Sequence, residues 1–200
     1  LVERPIYEEF VARLAQAFAN VRVGTPAMDL DCGPIITAKQ QKRVQSFLDQ
    51  ARIDGIPVLA EGSRAEGLDP RGFYVTPTLF GPVPRANALA CEEVFGPVLG
   101  VFPFNDEAEA VRLANETEYG LAAGIWTQDG GRQMRLAKQV RAGQVFVNCY
   151  GAGAGIELPF GGSGKSGHGR EKGFAALVDF SKSKTMAVSY THLRAHETVL

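Results

Sequence analysis

Val98-Leu99-Gly100-Val101-Phe102 opens the stretch that decides the fold. It is a short apolar run of strand type, and the period keeps changing after it. Asp106 to Asn115 has helical spacing, Ala123-Gly124-Ile125-Trp126 is strand-like, Gly131 to Val140 is helical, and Gln144-Val145-Phe146-Val147 is again a strand. Strands alternating with helices of about ten residues predict an α/β fold with a parallel, Rossmann-like sheet and right-handed crossovers. Asn105 stands where a cap for the first of these helices belongs, with Phe104 before it as a hydrophobic staple.

On the amino-terminal side, Ile6, Phe10, Leu14 and Phe18 recur every four positions and predict the buried face of a helix over Pro5 to Phe18, with Pro5 in its first turn. A second helix is expected from the N-cap Thr37 to a stop at Gly55, with Val44, Phe47, Leu48 and Ala51 on one face. Pro57-Val58-Leu59 and Phe73-Tyr74-Val75 alternate with Gly and Pro and predict strands. On the carboxyl-terminal side, residues 149 to 169 are glycine-rich and aperiodic, a loop of the length that usually serves function. Glu171 to Phe180 is helical in pattern and Thr185 to Tyr190 is a final strand. Thr191 to Leu200 fits nothing before it, and a vector or adapter origin stands beside a natural tail. Its His192 and His196, at i and i+4, would need a further ligand to hold a metal.

Composition excludes several functions. The chain is 45% hydrophobic and 22% charged with a net charge of -1, and its basic residues are scattered, so it has no electrostatic footprint for nucleic acid or an anionic membrane. No apolar run reaches the roughly 20 residues of a membrane helix. Cys32, Cys91 and Cys149 are odd in number and lack metal-ligand spacing, which predicts reduced thiols and a cytoplasmic setting.

Several motifs invite chemistry. Gly162-Ser163-Gly164-Lys165-Ser166-Gly167 spells a dinucleotide-binding fingerprint, but no strand runs directly into it. The positions about twenty onward are Lys182, Ser183 and Lys184, not the acid that would hold a ribose. Pro159 stands where a phosphate-binding P-loop would need its first glycine, so tight turns and close packing remain the plainer reading. Glu92-Glu93-Val94-Phe95-Gly96-Pro97 joins an acidic pair to an aromatic and a Gly-Pro turn. Asn148 ends a strand at the carboxyl edge of the sheet, where α/β proteins place ligands, although it could equally be a turn residue. Cys149 lacks the basic neighbour or helix start that would stabilise a thiolate. Phe160 fits a core aromatic and Glu171 a capping carboxylate.

Taken in order, Glu92-Glu93-Val94-Phe95-Gly96-Pro97-Val98, Pro159-Phe160-Gly161-Gly162 and Ser166-Gly167-His168-Gly169-Arg170-Glu171 resemble the C-terminal part of the NAD(P)-dependent aldehyde dehydrogenase superfamily. Cys32-Gly33-Pro34-Ile35-Ile36, Pro77-Thr78-Leu79-Phe80 and Gly143-Gln144-Val145-Phe146-Val147-Asn148 are in register with them, so the resemblance spans about residues 1 to 188. It implies a catalytic-domain portion over residues 1–165, a helix over 166–181 returning toward a cofactor domain, an oligomerisation strand over 182–190 and a tail over 191–200. It also implies that Glu93 holds the ribose hydroxyls of NAD or NADP and that Phe95 positions the nicotinamide. Asn148 would lie beside the active site, Phe160 would line the substrate tunnel, and Glu171 would hold or relay a proton through water.

Leu1-Val2-Glu3 with Ile6-Tyr7-Glu8-Glu9-Phe10 resembles the segment just after the family's catalytic cysteine. The nucleophile, the general-base glutamate and the main cofactor surface are thus expected ahead of Leu1, and the chain is expected to be inactive alone. The reaction implied is oxidation of an aldehyde to a carboxylic acid through a cysteine thiohemiacetal and thioester, in a homodimer or homotetramer. A catalytically dead structural relative and a CoA-acylating or semialdehyde member are the alternatives, which the upstream sequence would separate.

Overall fold

The alternation between Val98 and Val147 is present in the computed structural model, which describes residues 1–150 and 155–189. Strand β1 (Val2–Glu3) leads through a 3-10 turn, Arg4–Ile6, into helix α1 (Tyr7–Ala19). Then come β2 (Arg22–Val23), α2 (Ala38–Ile53), β3 (Val58–Glu61), β4 (Ser63–Arg64), β5 (Thr78–Phe80) and α3 (Ala88–Cys91). The crossover region follows as β6 (Val98–Gly100), β7 (Pro103–Phe104), α4 (Glu107–Asn115), β8 (Ala122–Ile125), α5 (Gly130–Gln139) and β9 (Gln144–Val147), and α6 (Gly173–Asp179) comes last. Pairings are parallel for β1 with β7, β2 with β4, β5 with β6 and β8 with β9, while β3 runs antiparallel to β5. No helix among the described residues is long and apolar enough to cross a membrane.

Strand β5 is the centre. Thr78, Leu79 and Phe80 are all fully buried because the strand is covered on both faces. Alternation sends Phe80 into a cluster with Val44, Leu48 and Ala51 of α2, and Leu79 into a cluster with Tyr7 and Val11 of α1. Helix α2 follows its sequence pattern closely: Thr37 Oγ1 accepts from the Gln40 amide, Val44, Phe47, Leu48 and Ala51 are buried, and Gly55 takes the left-handed φ of 71° after the last turn.

Elsewhere the structure differs from the sequence reading. Pro5 lies in the 3-10 turn, so α1 starts at Tyr7 and its stripe is rotated. Tyr7 and Val11 are buried, Leu14, Ala15 and Phe18 pack partly against the same cluster, and Ile6 and Phe10 stay half exposed. Asp106, not Asn105, caps α4. Its Oδ1 accepts from the Glu109 amide while Glu109 Oε2 accepts from the Asn105 amide, a capping box shifted by one residue. Phe73-Tyr74-Val75 is no strand, since its carbonyls are taken singly by the Ile35 amide and the Gln41 side chain rather than by a neighbouring ladder. Helix α6 is shorter than its pattern because Lys172 sits at a φ of 64°, and Glu171 pairs with Phe160 instead. Residues 182–189 are exposed and form no strand within the chain, since a strand needs a ladder partner and none lies beside them among the described residues. Tyr190, His192 and His196 lie outside the described residues.

Candidate functional site

The loop from Glu92 to Pro97 is fastened at both ends. Asn87 caps α3 through its side chain, and the Glu92 amide closes that helix on the Ala88 carbonyl. At the far end the Thr78 amide of β5 bonds the Pro97 carbonyl, and the chain enters β6. Between these anchors, two residues of α2 hold the backbone. Gln40 Nε2 donates to the carbonyls of Val94 and Phe95 at 3.1 Å each, and Arg43 Nη2 donates to the Glu93 carbonyl at 2.9 Å. Gly96 presses on α2 so closely that an added Cβ would lie 2.6 Å from Val44 Cγ2.

Held this way, Phe95 adopts a left-handed φ of 59°, an unfavourable conformation for a bulky residue. Its ring is 74% exposed. The Glu93 carboxylate makes no hydrogen bond or ion pair among the described residues, whereas Glu92 Oε2 lies 3.7 Å from Arg43 Nη2. The loop thus spends its hydrogen-bonding capacity on backbone position and leaves one carboxylate and one aromatic face open. Gln40 and Arg43 were missed from sequence, and nothing local could have found them, because their partners lie 50 or more residues away.

Asn148 ends β9 at a φ of 53° and clasps Thr127 at the end of β8: its Oδ1 accepts from the Thr127 amide and its Nδ2 donates to the Thr127 carbonyl, both at 2.9 Å. Both the turn role and the edge-of-sheet position are therefore present. Phe160 and Glu171 exchange backbone hydrogen bonds of 2.6 and 2.7 Å, and the Lys172 ammonium stands 5.8 Å from the Phe160 ring centroid. No side chain caps α6, so Glu171 is not a capping carboxylate.

The glycine-rich stretch packs on the turn ahead of β8, and its Gly164–Ser166 forms a single 3-10 turn rather than opening an α-helix. The Ser163 and Lys165 amides bond the Gly120 and Glu118 carbonyls, and Ser166 Oγ accepts from the Gly120 amide. Lys165 forms an ion pair with Glu118, which raises the ammonium pKa through the hydrogen bond and the carboxylate charge. A cleft of about 280 Å³ gathers Glu92, Glu93, Tyr119, Gly120 and Ser166. Phe95, Asn148, Phe160 and Glu171 do not line it, so the sequence candidates fall in three places: Glu93 with Phe95 on one loop, Asn148 at the end of β9, and Phe160 paired with Glu171.

Comparison with known proteins identifies the family. The model of the aldehyde dehydrogenase family matches residues 1–186. The betaine aldehyde dehydrogenase of Brucella melitensis is 38% identical over 190 residues, 94% of this chain and 39% of that protein. A crystal structure described as an aldehyde dehydrogenase from Burkholderia cenocepacia superimposes with a TM-score of 0.89 at 60% identity, over 93% of this chain and 39% of that one. The NAD+ complex of aldehyde dehydrogenase from Bacillus cereus superimposes with a TM-score of 0.83 at 38% identity, over 90% of this chain and 36% of that one. This chain therefore spans 36–39% of the length of these relatives. With the family model matching nearly its whole length, the chain belongs to the aldehyde dehydrogenase family.

Proposed function

We propose that this chain is the part of an NAD(P)+-dependent aldehyde-oxidising enzyme that holds the nicotinamide end of the cofactor. The observation that carries this reading is the fastened Glu92–Pro97 loop, with the Glu93 carboxylate unpartnered among the described residues and the Phe95 ring exposed. These groups fit the cofactor. An ionised carboxylate accepts from both hydroxyls of a ribose, and an open aromatic face packs against a planar ring. When bound, NAD(P)+ supplies the hydride acceptor that aldehyde oxidation requires. That the Bacillus cereus relative is an NAD+ complex supports the assignment.

Glu93 and Phe95 orient the cofactor, and the α2 tethers keep them fixed so that little orientational freedom is lost at each binding event. Phe160 contributes an apolar wall for the aldehyde, Asn148 stiffens the edge of the sheet beside it, and Glu171 holds a proton through water. The nucleophilic cysteine and the general base belong to the portion of the relatives that this chain does not match. Phe174, Phe180, Met186 and Val188, each more than 70% exposed, suit a homodimer or homotetramer in which they are covered.

The test joins the portion of the Burkholderia relative that the match leaves uncovered ahead of Leu1, and assays aldehyde-dependent NADH formation. Glu93→Gln should raise the KM for NAD+ about tenfold or more, the scale of a lost charged hydrogen bond, and leave the aldehyde KM unchanged. An unchanged KM for NAD+ in an active, folded protein would remove Glu93 from the cofactor site.

A further inference from the structure

The ammonium of Lys172 stands 5.8 Å from the ring centroid of Phe160, inside the range of a cation–π contact. We propose that Lys172 is a specificity-determining residue that selects aldehydes bearing a carboxylate and rejects aldehydes bearing a cation. This deepens the proposed function and rests on its reading of Phe160 as a wall for the aldehyde.

Backbone geometry supplies the first argument. Phe160 and Glu171 form a close antiparallel pair, in which the Phe160 amide bonds the Glu171 carbonyl and the Glu171 amide bonds the Phe160 carbonyl. In a regular extended chain the next residue turns its side chain to the face opposite such a pair. Lys172 does not continue the strand. Its φ of 64° and ψ of 174° lie in a region that belongs almost only to glycine, and its ammonium stands over the Phe160 ring. On the far side of this strained residue the Gly173 amide bonds the Ile156 carbonyl at 2.8 Å. Both fastenings are made to the segment that carries Phe160, so Lys172 and the aromatic wall are held as one unit. A glycine takes this conformation freely, and a lysine held there against strain marks a side chain that serves function rather than folding.

Charge supplies the second. Lys165 is paired with Glu118, whereas Lys172 makes no hydrogen bond or ion pair among the described residues. Glu157 folds its carboxylate back on Gly155, where an added Cβ would lie 2.2 Å from Oε1, and Asp179 accepts from the Arg170 amide. Arg170 adds a second positive charge to this strip, with its guanidinium tied to the carbonyls of Gly162, His168 and Gly169. The exposed Lys172 ammonium is therefore open to a ligand. An aldehyde that lies along Phe160 and carries a carboxylate gains a charge-assisted hydrogen bond from it. One that carries a trimethylammonium group meets a like charge and finds that face of the ring already covered. A neutral alkyl aldehyde meets neither effect.

The joined protein described above is assayed at saturating NAD+ with butanal, succinic semialdehyde and an aldehyde bearing a trimethylammonium group. Lys172→Met keeps the backbone strain and removes the charge. In it the ratio of kcat/KM for succinic semialdehyde over butanal should fall about five- to tenfold, the scale of an exposed charged hydrogen bond. The ratio for the cationic aldehyde should rise. Lys172→Arg should keep both ratios, and added KCl should erode the preference for the anion only where the cation is present. Lys172→Gly should lose the preference without lowering Tm, a combination that a structural role for the lysine does not give. Phe160→Ala separates the two readings. A raised KM for butanal there, with the ratio unmoved in Lys172→Met, overturns the charge proposal and leaves the wall standing. A shifted ratio with the butanal KM unmoved supports Lys172 as the selector and removes Phe160 from the wall, and if neither moves both readings fall. If the joined protein turns over no aldehyde, calorimetry with succinate reads the same site. Binding weakened about five- to tenfold by Lys172→Met then supports the proposal, and no binding, or equal binding by the two proteins, overturns it.

Discussion

Gln40→Ala isolates what holds the cofactor-side loop in place. The substitution removes two side-chain-to-carbonyl hydrogen bonds of 3.1 Å, to Val94 and Phe95, and alanine favours helix, so α2 itself is not weakened. At about 0.5–1.5 kcal/mol each, the two bonds together contribute about 1–3 kcal/mol. Against them stands the left-handed Phe95, whose conformation costs about 1–2 kcal/mol. Two effects of equal size oppose each other, so the loss of Gln40 leaves the strain held by the Arg43 bond to the Glu93 carbonyl, by Gly96 on Val44 and by the two end anchors of the loop. Opening of the loop should become about 5–150-fold more frequent, the equivalent of about 1–3 kcal/mol. Exchange of the Val98 and Thr78 amides, which bond the Gly96 and Pro97 carbonyls, reads this directly, with Val44 and Leu48 of α2 as internal references. Phe95→Gly relieves the strain, so Gln40→Ala should matter less in that background, and the cycle gives the coupling. Unchanged exchange at Val98 and Thr78, or acceleration spread evenly through the chain, would refute the view that these tethers oppose a local strain.

Leu79→Ala, in the fully buried strand β5, should cost about 2–5 kcal/mol and lower the urea midpoint without changing the slope. Asp106→Ala removes the cap of α4 and should lower Tm by about 2–4 °C, for a loss of about 1 kcal/mol. Asp129 caps α5, and its pKa is lowered mainly by the hydrogen bond from the Arg132 backbone amide. Because the folded pKa is the lower one, the contribution is present above about pH 4 and is lost as pH falls through the folded value, so the Tm difference from Asp129→Asn should vanish in acid. Gly143→Ala would place a Cβ 1.7 Å from the Gly161 carbonyl oxygen, and a backbone atom cannot swing aside. The loop carrying Phe160 should leave β9, seen as faster exchange of the Phe160 and Glu171 amides.

Most of the fold was legible because its local signals agree with one another. Thr37, the Val44–Ala51 stripe and Gly55 all point to the same helix, and that helix forms with those residues buried. Where two residues could serve one role, sequence was ambiguous. Asn105 and Asp106 are adjacent good caps, and the choice falls to Asp106 because Glu109 then reaches back to bond the Asn105 amide. Phe73-Tyr74-Val75 has the composition of a strand and the burial of one at Tyr74 and Val75, but composition records burial, not the presence of a neighbouring ladder.

The site was legible only in its exposed half. Glu93 and Phe95 stood out by residue type, while Gln40 and Arg43, which decide where those side chains are, bind main-chain carbonyls that have no sequence signature. The same limit explains Ile6 and Phe10. Their spacing correctly announces an apolar face, and Leu14 and Phe18 on its far half do pack into the core. Periodicity states that a face must be covered, and it is silent about by what. In this chain the covered half of α1 meets β3 and β5, and the open half meets a cleft edged by β1 and β8. The stripe therefore reports core burial only for the residues that meet β3 and β5, and not for Ile6 and Phe10 on its other half.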